Sequence, residues 1–233
     1  MILGPTRSIE MGLLTQNAKM KKSSQNGITV VNWTIPAFQS STGLKTCPNA
    51  GACAAGCYAQ MGAYVWGNVR AAHEAKLALT QSDTFVSEMI AEINAWLGKR
   101  TVENLKVRIH DAGDFYSMEY LSKWIEIMSH FETDARVSFY AYTKQVKMFQ
   151  NESKRLPSNF RLIFSFGGKQ DTSIRIDTDF HARVFQSIED LEASGYVDGT
   201  DDDMVAAMGA SNKIGLVYHG NRGYSKTRWG KVA

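Results

Sequence analysis

Leu105-Lys-Val-Arg-Ile109, His110-Asp-Ala-Gly-Asp-Phe115 and Ser117-Met-Glu-Tyr-Leu-Ser-Lys-Trp-Ile-Glu-Ile-Met128 follow one another almost without a break. The first stretch alternates as a strand does. The second is a polar corner with a glycine in it. In the third, Leu121, Trp124, Ile125 and Met128 share one helical face, with Ser117 placed as the N-cap. A strand that turns through a polar corner into an amphipathic helix is one βα unit, and the rest of the chain repeats it.

Towards the C-terminus, Arg136-Val-Ser-Phe-Tyr-Ala-Tyr142 reads as a strand ending at Thr143-Lys144, followed by a short helix from about Val146 to Arg155 that Pro157 stops. Phe160–Phe166 is the next strand and ends at Gly167-Gly-Lys169. Beyond it the expected elements are a short strand over Ala182–Phe185, a helical turn over Ser187–Glu192, a capped helix over Asp201–Met208 and a last strand over Lys213–His219. Towards the N-terminus, Ser82–Leu97 and Val69–Leu79 read as helices, and the β-branched run Ile28–Ile35 reads as a strand that stops at Pro36. Residues 1–27 are polar, and Lys19, Lys21, Lys22 and Ser23-Ser-Gln-Asn-Gly27 are expected in a surface turn. The expected fold is therefore α/β, a partial (β/α) barrel or an open parallel sheet with helices, whose sites gather at the C-terminal ends of the strands.

The 233 residues and 25.9 kDa suit one domain spanning 1–233, because no Pro/Ser-rich linker divides them. Hydrophobic residues make up 44%, enough for a sizeable core and too many for a disordered chain. No apolar run reaches the roughly 20 residues of a membrane span, and no signal peptide is visible, so a cytoplasmic location is expected. A net charge of +3 does not by itself imply nucleic-acid binding; only the basic, aromatic tail over 220–233 could meet phosphate.

All three cysteines lie in Cys47-Pro-Asn-Ala-Gly-Ala-Cys53-Ala-Ala-Gly-Cys57, a glycine-rich loop between the first strand and the first of these helices. Packing explains such clustering poorly, since a loop offers little core to fill. An odd number of thiols without export signals also argues against a disulfide framework. Two metal readings remain. Structural zinc takes four ligands and would need His73, His110 or another partner. A [4Fe-4S] cluster on three thiolates leaves one iron open to a further donor, solvent or a substrate. His110 or Asp111 is the candidate fourth ligand.

The cysteine stretch, together with Arg108-Ile-His-Asp-Ala-Gly-Asp-Phe115 and Phe139-Tyr-Ala-Tyr-Thr-Lys144, resembles the gene product 88 family of tailed-bacteriophage proteins over roughly Ile28 to Gly168. That family looks like a distant relative of radical S-adenosylmethionine proteins. The resemblance implies a cluster loop near the start of a β/α barrel-like core. Those enzymes usually carry C-x3-C-x2-C with an aromatic residue before the last cysteine, whereas here the spacing is C-x5-C-x3-C and Tyr58 comes after it. The pair Gly167-Gly168 is similar to the glycine-rich strand end that contacts the methionyl group in those enzymes. Asp114, Ser165, Gly167 and Gly168 are accordingly the candidate contacts for S-adenosylmethionine.

His110, Asp111, Tyr142 and Lys144 are the candidate catalytic groups, placed at strand ends where acid-base work is possible. The plainer reading makes His110 a satisfied core residue and Asp114 a helix cap. Arg108 shares its strand face with His110 and would bind an anion or pair with an acid. Lys169 and His219 also fall at strand ends. His73 is expected at the solvent and His130 at a helix end, and His181 has no evident role. The functions that follow are a redox-active cluster protein working on a small molecule or with a host redox protein, a radical S-adenosylmethionine enzyme, or a structural zinc protein.

Overall fold

The structure is a computed structural model that describes residues 12–218. His219, the basic tail over 220–233 and residues 1–11 of the polar N-terminal segment lie outside the described residues. Seven strands form one sheet: β1 (Ile28–Trp33), β2 (Asn104–Ile109), β3 (Val137–Thr143), β4 (Phe160–Ser165), β5 (His181–Phe185), β6 (Val197–Asp198) and β7 (Lys213–Val217). Their order is β1-β2-β3-β4-β5-β7-β6, every pairing is parallel, and the sheet curls into an open half-barrel. Both expected architectures thus meet in one object, a barrel wall that does not close.

The helices are α1 (Ala18–Ser23), α2 (Gly67–Thr80), α3 (Phe85–Leu97), α4 (Met118–His130), α5 (Val146–Asn151), α6 (Ile188–Ala193) and α7 (Met204–Met208). Alternation along the strands assigns them to two faces. Val31 and Trp33 of β1, Leu105, Val107 and Ile109 of β2, Phe139 of β3 and Phe164 of β4 pack with Met89, Trp124 and Phe149 of α3, α4 and α5 in the main core. The opposite face carries Val30, Tyr140, Ile163, Ala182 and Ile214, covered by Met20 of α1 and by Ala206 and Ala207 of α7. The main core is dense with rings: Trp33, Phe85 and Trp124 lie 5.4–6.2 Å apart in tilted and edge-on pairs. Each such side chain contributes roughly 1.5–3 kcal/mol on burial.

Ser117 caps α4 as expected, accepting from the Tyr120 backbone amide at 3.2 Å. The N-terminal segment departs from expectation. Asn17 caps α1, Met20 and Ser23 are fully buried, and the helix closes the less populated face of the sheet. A six-residue helix has too few apolar positions to show a periodic pattern, and its three lysines disguise the one methionine that anchors it. The two-residue β6 was also invisible, being too short to alternate.

Candidate functional site

The cysteine loop lies across the C-terminal ends of β2, β3 and β4, held by backbone contacts. The amides of Gly51 and Cys53 both donate to the Gly167 carbonyl, at 3.2 and 3.1 Å, and the Asp114 amide donates to the Thr46 carbonyl at 3.0 Å. Lys169 completes the seam, its amide and ammonium reaching the carbonyls of Asn49 and Pro48, each at 2.9 Å. Gly51 is required here: a Cβ on it would stand 2.9 Å from both the Gly167 oxygen and the Gly168 carbonyl carbon, and neither backbone atom can give way. Gly167-Gly168 is equally committed, because its two amides donate to the Asp171 carboxylate at 2.8 Å each. The glycine pair therefore anchors the loop, and its N–H groups are already used.

Below the loop, the concave face holds a buried charge network. Asp203, with no exposed surface, accepts from Arg108 Nη1 and the Tyr140 hydroxyl, each at 2.8 Å, and pairs with Lys19 Nζ at 2.8 Å. Burial alone would raise its carboxyl, but the charges of Arg108 and Lys19 hold it below the ordinary carboxylate range. Arg108 also faces Asp111 at 3.8 Å, so the plainer reading of Arg108, pairing with acids, is the one the geometry shows. Asp111 in turn accepts from Asn17 at 3.1 Å and from the Tyr64 hydroxyl. Its backbone carbonyl accepts from the hydroxyl of Tyr58, the residue after Cys57. The last thiol is thus tied to the same network through one aromatic neighbour.

Among the polar atoms of this region that are sealed from solvent without a hydrogen-bond partner are the Tyr142 hydroxyl and Arg108 Nε, with His110 Nδ1, Thr46 Oγ1 and Gln145 Nε2. The Arg108 guanidinium stands 5.1 Å from the Tyr142 ring centre. Burial, and next the charge of Asp203, push the Tyr142 hydroxyl far above its usual range, so it is a proton donor. Buried polar groups are normally satisfied, so these orphan donors set the region apart from the rest of the sheet.

The remaining candidates divide into two sets. His110 is buried in an aromatic nest, with Nε2 at 2.9 Å from the Tyr120 hydroxyl, which itself receives Trp33 Nε1 at 2.8 Å. Burial and then the Arg108 charge lower its pKa to about 3, so the ring is neutral. Its backbone is left-handed (φ 69°), which costs a non-glycine residue free energy and turns the chain into the corner. Asp114 does not cap α4, a place Ser117 fills. Its carboxylate accepts from Thr143 Oγ1 at 2.6 Å and from the Lys144 amide at 3.0 Å, fastening β2 to β3. Lys144 Nζ donates to the Ser165 carbonyl, the Ser165 hydroxyl and the Phe166 carbonyl at 2.9–3.1 Å, fastening β3 to β4.

Among the other histidines, His73 is half-buried, its ring 6.0 Å from that of Tyr64, and not at the solvent as expected. His181 is fully buried between the Asp179 carbonyl and the Tyr196 hydroxyl, each at 2.9 Å. His130 ends α4 at the surface.

All three thiols are free and partly accessible. Among the described residues no set of three or more His, Cys, Asp or Glu side chains is arranged as a metal-holding group. Burial first, then Asp114, pushes Cys47 up to about 12, with Cys57 and Cys53 adding to it. Cys57 is raised chiefly by burial, against the pull of the Ala59 amide and the Lys144 ammonium. A bound cation reverses that balance and deprotonates such thiols outright.

Sequence reasoning missed Lys19, Asn17, Tyr64, Tyr140 and Asp203. Only Tyr140 had a signal, since it alternates with Tyr142 on the strand face that pairs with Arg108. Fold and site together define a parallel half-barrel with a cysteine loop across its C-terminal mouth. The chain belongs to the phage gene product 88 family, whose sequence profile matches residues 11–230. No curated protein and no solved structure gives a significant match.

Proposed function

We propose that this protein carries a [4Fe-4S] cluster on Cys47, Cys53 and Cys57 and is redox-active through it. The observation that supports this reading is the placement of all three cysteines on one loop docked over the strand ends, with their thiols free of disulfides and partly accessible. The donor set suits the group: three thiols and no fourth cysteine match a cluster that leaves one iron open and supplies one-electron chemistry. The chain's own contributions are separable. Lys144 brings a positive charge near Cys57, favouring its thiolate. Asp114 stands beside Cys47 and opposes ionisation there, so loading of that thiol depends on the metal itself. Tyr142 and Arg108 offer a hydroxyl and an N–H to an acceptor-bearing small molecule below the loop.

A second reading, a radical S-adenosylmethionine enzyme with a radical-SAM-like core, is favoured by those two orphan donors. It draws no support from Gly167-Gly168, whose amides are occupied by Asp171. Anaerobically reconstituted, reduced protein incubated with S-adenosylmethionine separates the two. A reversible one-electron signal without nucleoside product supports the first reading, and release of 5'-deoxyadenosine or methylthioadenosine supports the second. Stoichiometric zinc in a colourless protein would replace both with a structural zinc fold.

A further inference from the structure

A cavity of about 450 Å3 opens on the concave face at the opposite, N-terminal ends of the strands, lined among others by Lys106, Ser138, Ser158, Arg161 and Phe180. Lys106 and Arg161 lie on the same sheet face as Arg108 and Ile163, by strand alternation. Among the described residues neither forms an ion pair. Lys106 Nζ donates to the Ser138 hydroxyl at 2.8 Å, and Arg161 Nη1 donates to the Ala206 and Ala207 carbonyls at 3.1 and 2.8 Å, ending α7. Arg161 also stacks on Phe180, 5.5 Å from the ring centre. The acid that lines the cavity, Asp179, is bound by Arg175 through backbone and guanidinium at 2.8–3.4 Å. Glu132, which accepts from the Ser158 amide at 2.7 Å, is exposed at the surface.

We propose that this cavity is a second site, for the phosphate group of a small phosphorylated ligand, held between Lys106 and Arg161. Two part-buried cations that no carboxylate offsets are the arrangement an oxyanion completes. Burial and the neighbouring Arg161 lower the pKa of Lys106, and burial lowers that of Arg161; an anion between them relieves both costs. Ser138, whose oxygen accepts from Lys106, has its own hydroxyl proton left to donate to the phosphate. The exposed Met208 at the cavity gives apolar surface beside the charge, where the body of a ligand larger than phosphate would rest.

The test is calorimetric titration of the full chain with inorganic phosphate and with phenyl phosphate, at matched ionic strength in chloride. Saturable binding of either probe is expected, weakened about tenfold or more in Lys106→Gln, the ratio that 1.4 kcal/mol makes. Tighter binding of phenyl phosphate assigns the site to a phosphorylated organic ligand; equal binding assigns it to free phosphate. Arg161→Gln should act in the same direction, and if it unfolds because α7 loses its end, Lys106→Gln decides alone. No saturable heat from either probe, or binding unchanged in Lys106→Gln, overturns the proposal.

Discussion

Asp203 carries more of the concave face than any other single residue, since it meets Arg108, Lys19 and Tyr140 at once. Removing one partner from a buried ion pair leaves the other charge stranded and typically costs ~3–5 kcal/mol, whereas exchanging both for apolar groups of similar volume can be nearly neutral. Asp203→Ala should therefore lower the urea midpoint steeply, and Asp203→Leu combined with Arg108→Met and Lys19→Met, which removes every charge of the pair network together, should recover much of that loss. An Asp203→Ala protein as stable as the parent would mean the network contributes little. His110 makes a pH-dependent prediction. Its folded pKa of about 3 is below the unfolded value, so the unfolded chain takes up the proton first as pH falls. The stability tied to this group is complete above about 6.5 and is lost progressively on the way down to about 3. Between pH 7 and pH 5 the loss is roughly 2 kcal/mol. His110→Asn keeps a side chain tolerant of the left-handed backbone and should flatten that part of the profile, read by urea unfolding at each pH. The sequence showed His110 at a strand end but could not choose between core and catalysis. That choice depends on Trp33 and Tyr120, whose side chains reach it from other elements.

The cysteine loop and the β4 end act as one element, joined through Gly51, Cys53 and Gly167. Gly51→Ala forces a Cβ against backbone, so the loop must lift; a loss of about 1–3 kcal/mol is expected, the usual cost of overpacking. Hydrogen exchange should report it as faster labelling of peptides covering 47–57 and 165–170, with the β1–β2 peptides unchanged. Uniform acceleration would show instead that the whole fold had been weakened. The thiols provide a second test. Cys47, raised to about 12 by burial and Asp114, should be the slowest to alkylate with iodoacetamide at pH 8 in the metal-free protein. In urea all three should react at similar rates, as peptide mass spectrometry can show. The loop's position was legible in part: its cysteines, its glycines and the strand before it are all visible in the sequence. Its anchor was not, because Gly167-Gly168 looked like a cofactor contact and the Asp171 that occupies those amides carries no pattern of its own.

At the scale of the molecule, the strand-and-helix alternation was readable because each βα unit buries a strand face against a helix stripe, and both leave periodic traces. The curl of the sheet leaves none; of the two short helices that cover its concave face, α7 was expected within 201–208 and supplies Ala206 and Ala207, whereas α1, which supplies Met20, was not. Those same helices bring Lys19 and Asp203 to Arg108, and neither residue's approach to the sheet leaves a trace in the sequence. What the whole arrangement supports is a cluster loop over one end of a half-barrel, with polar donors beneath it. The most direct test is iron and acid-labile sulfide content, with the absorption spectrum, of protein reconstituted anaerobically alongside single Cys47→Ala, Cys53→Ala and Cys57→Ala variants. The account predicts about four iron and four sulfide per chain, a broad absorption typical of a [4Fe-4S] centre, and loss of both in each variant. Iron and sulfide no higher in the parent than in the variants, or stoichiometric zinc in their place, would contradict it.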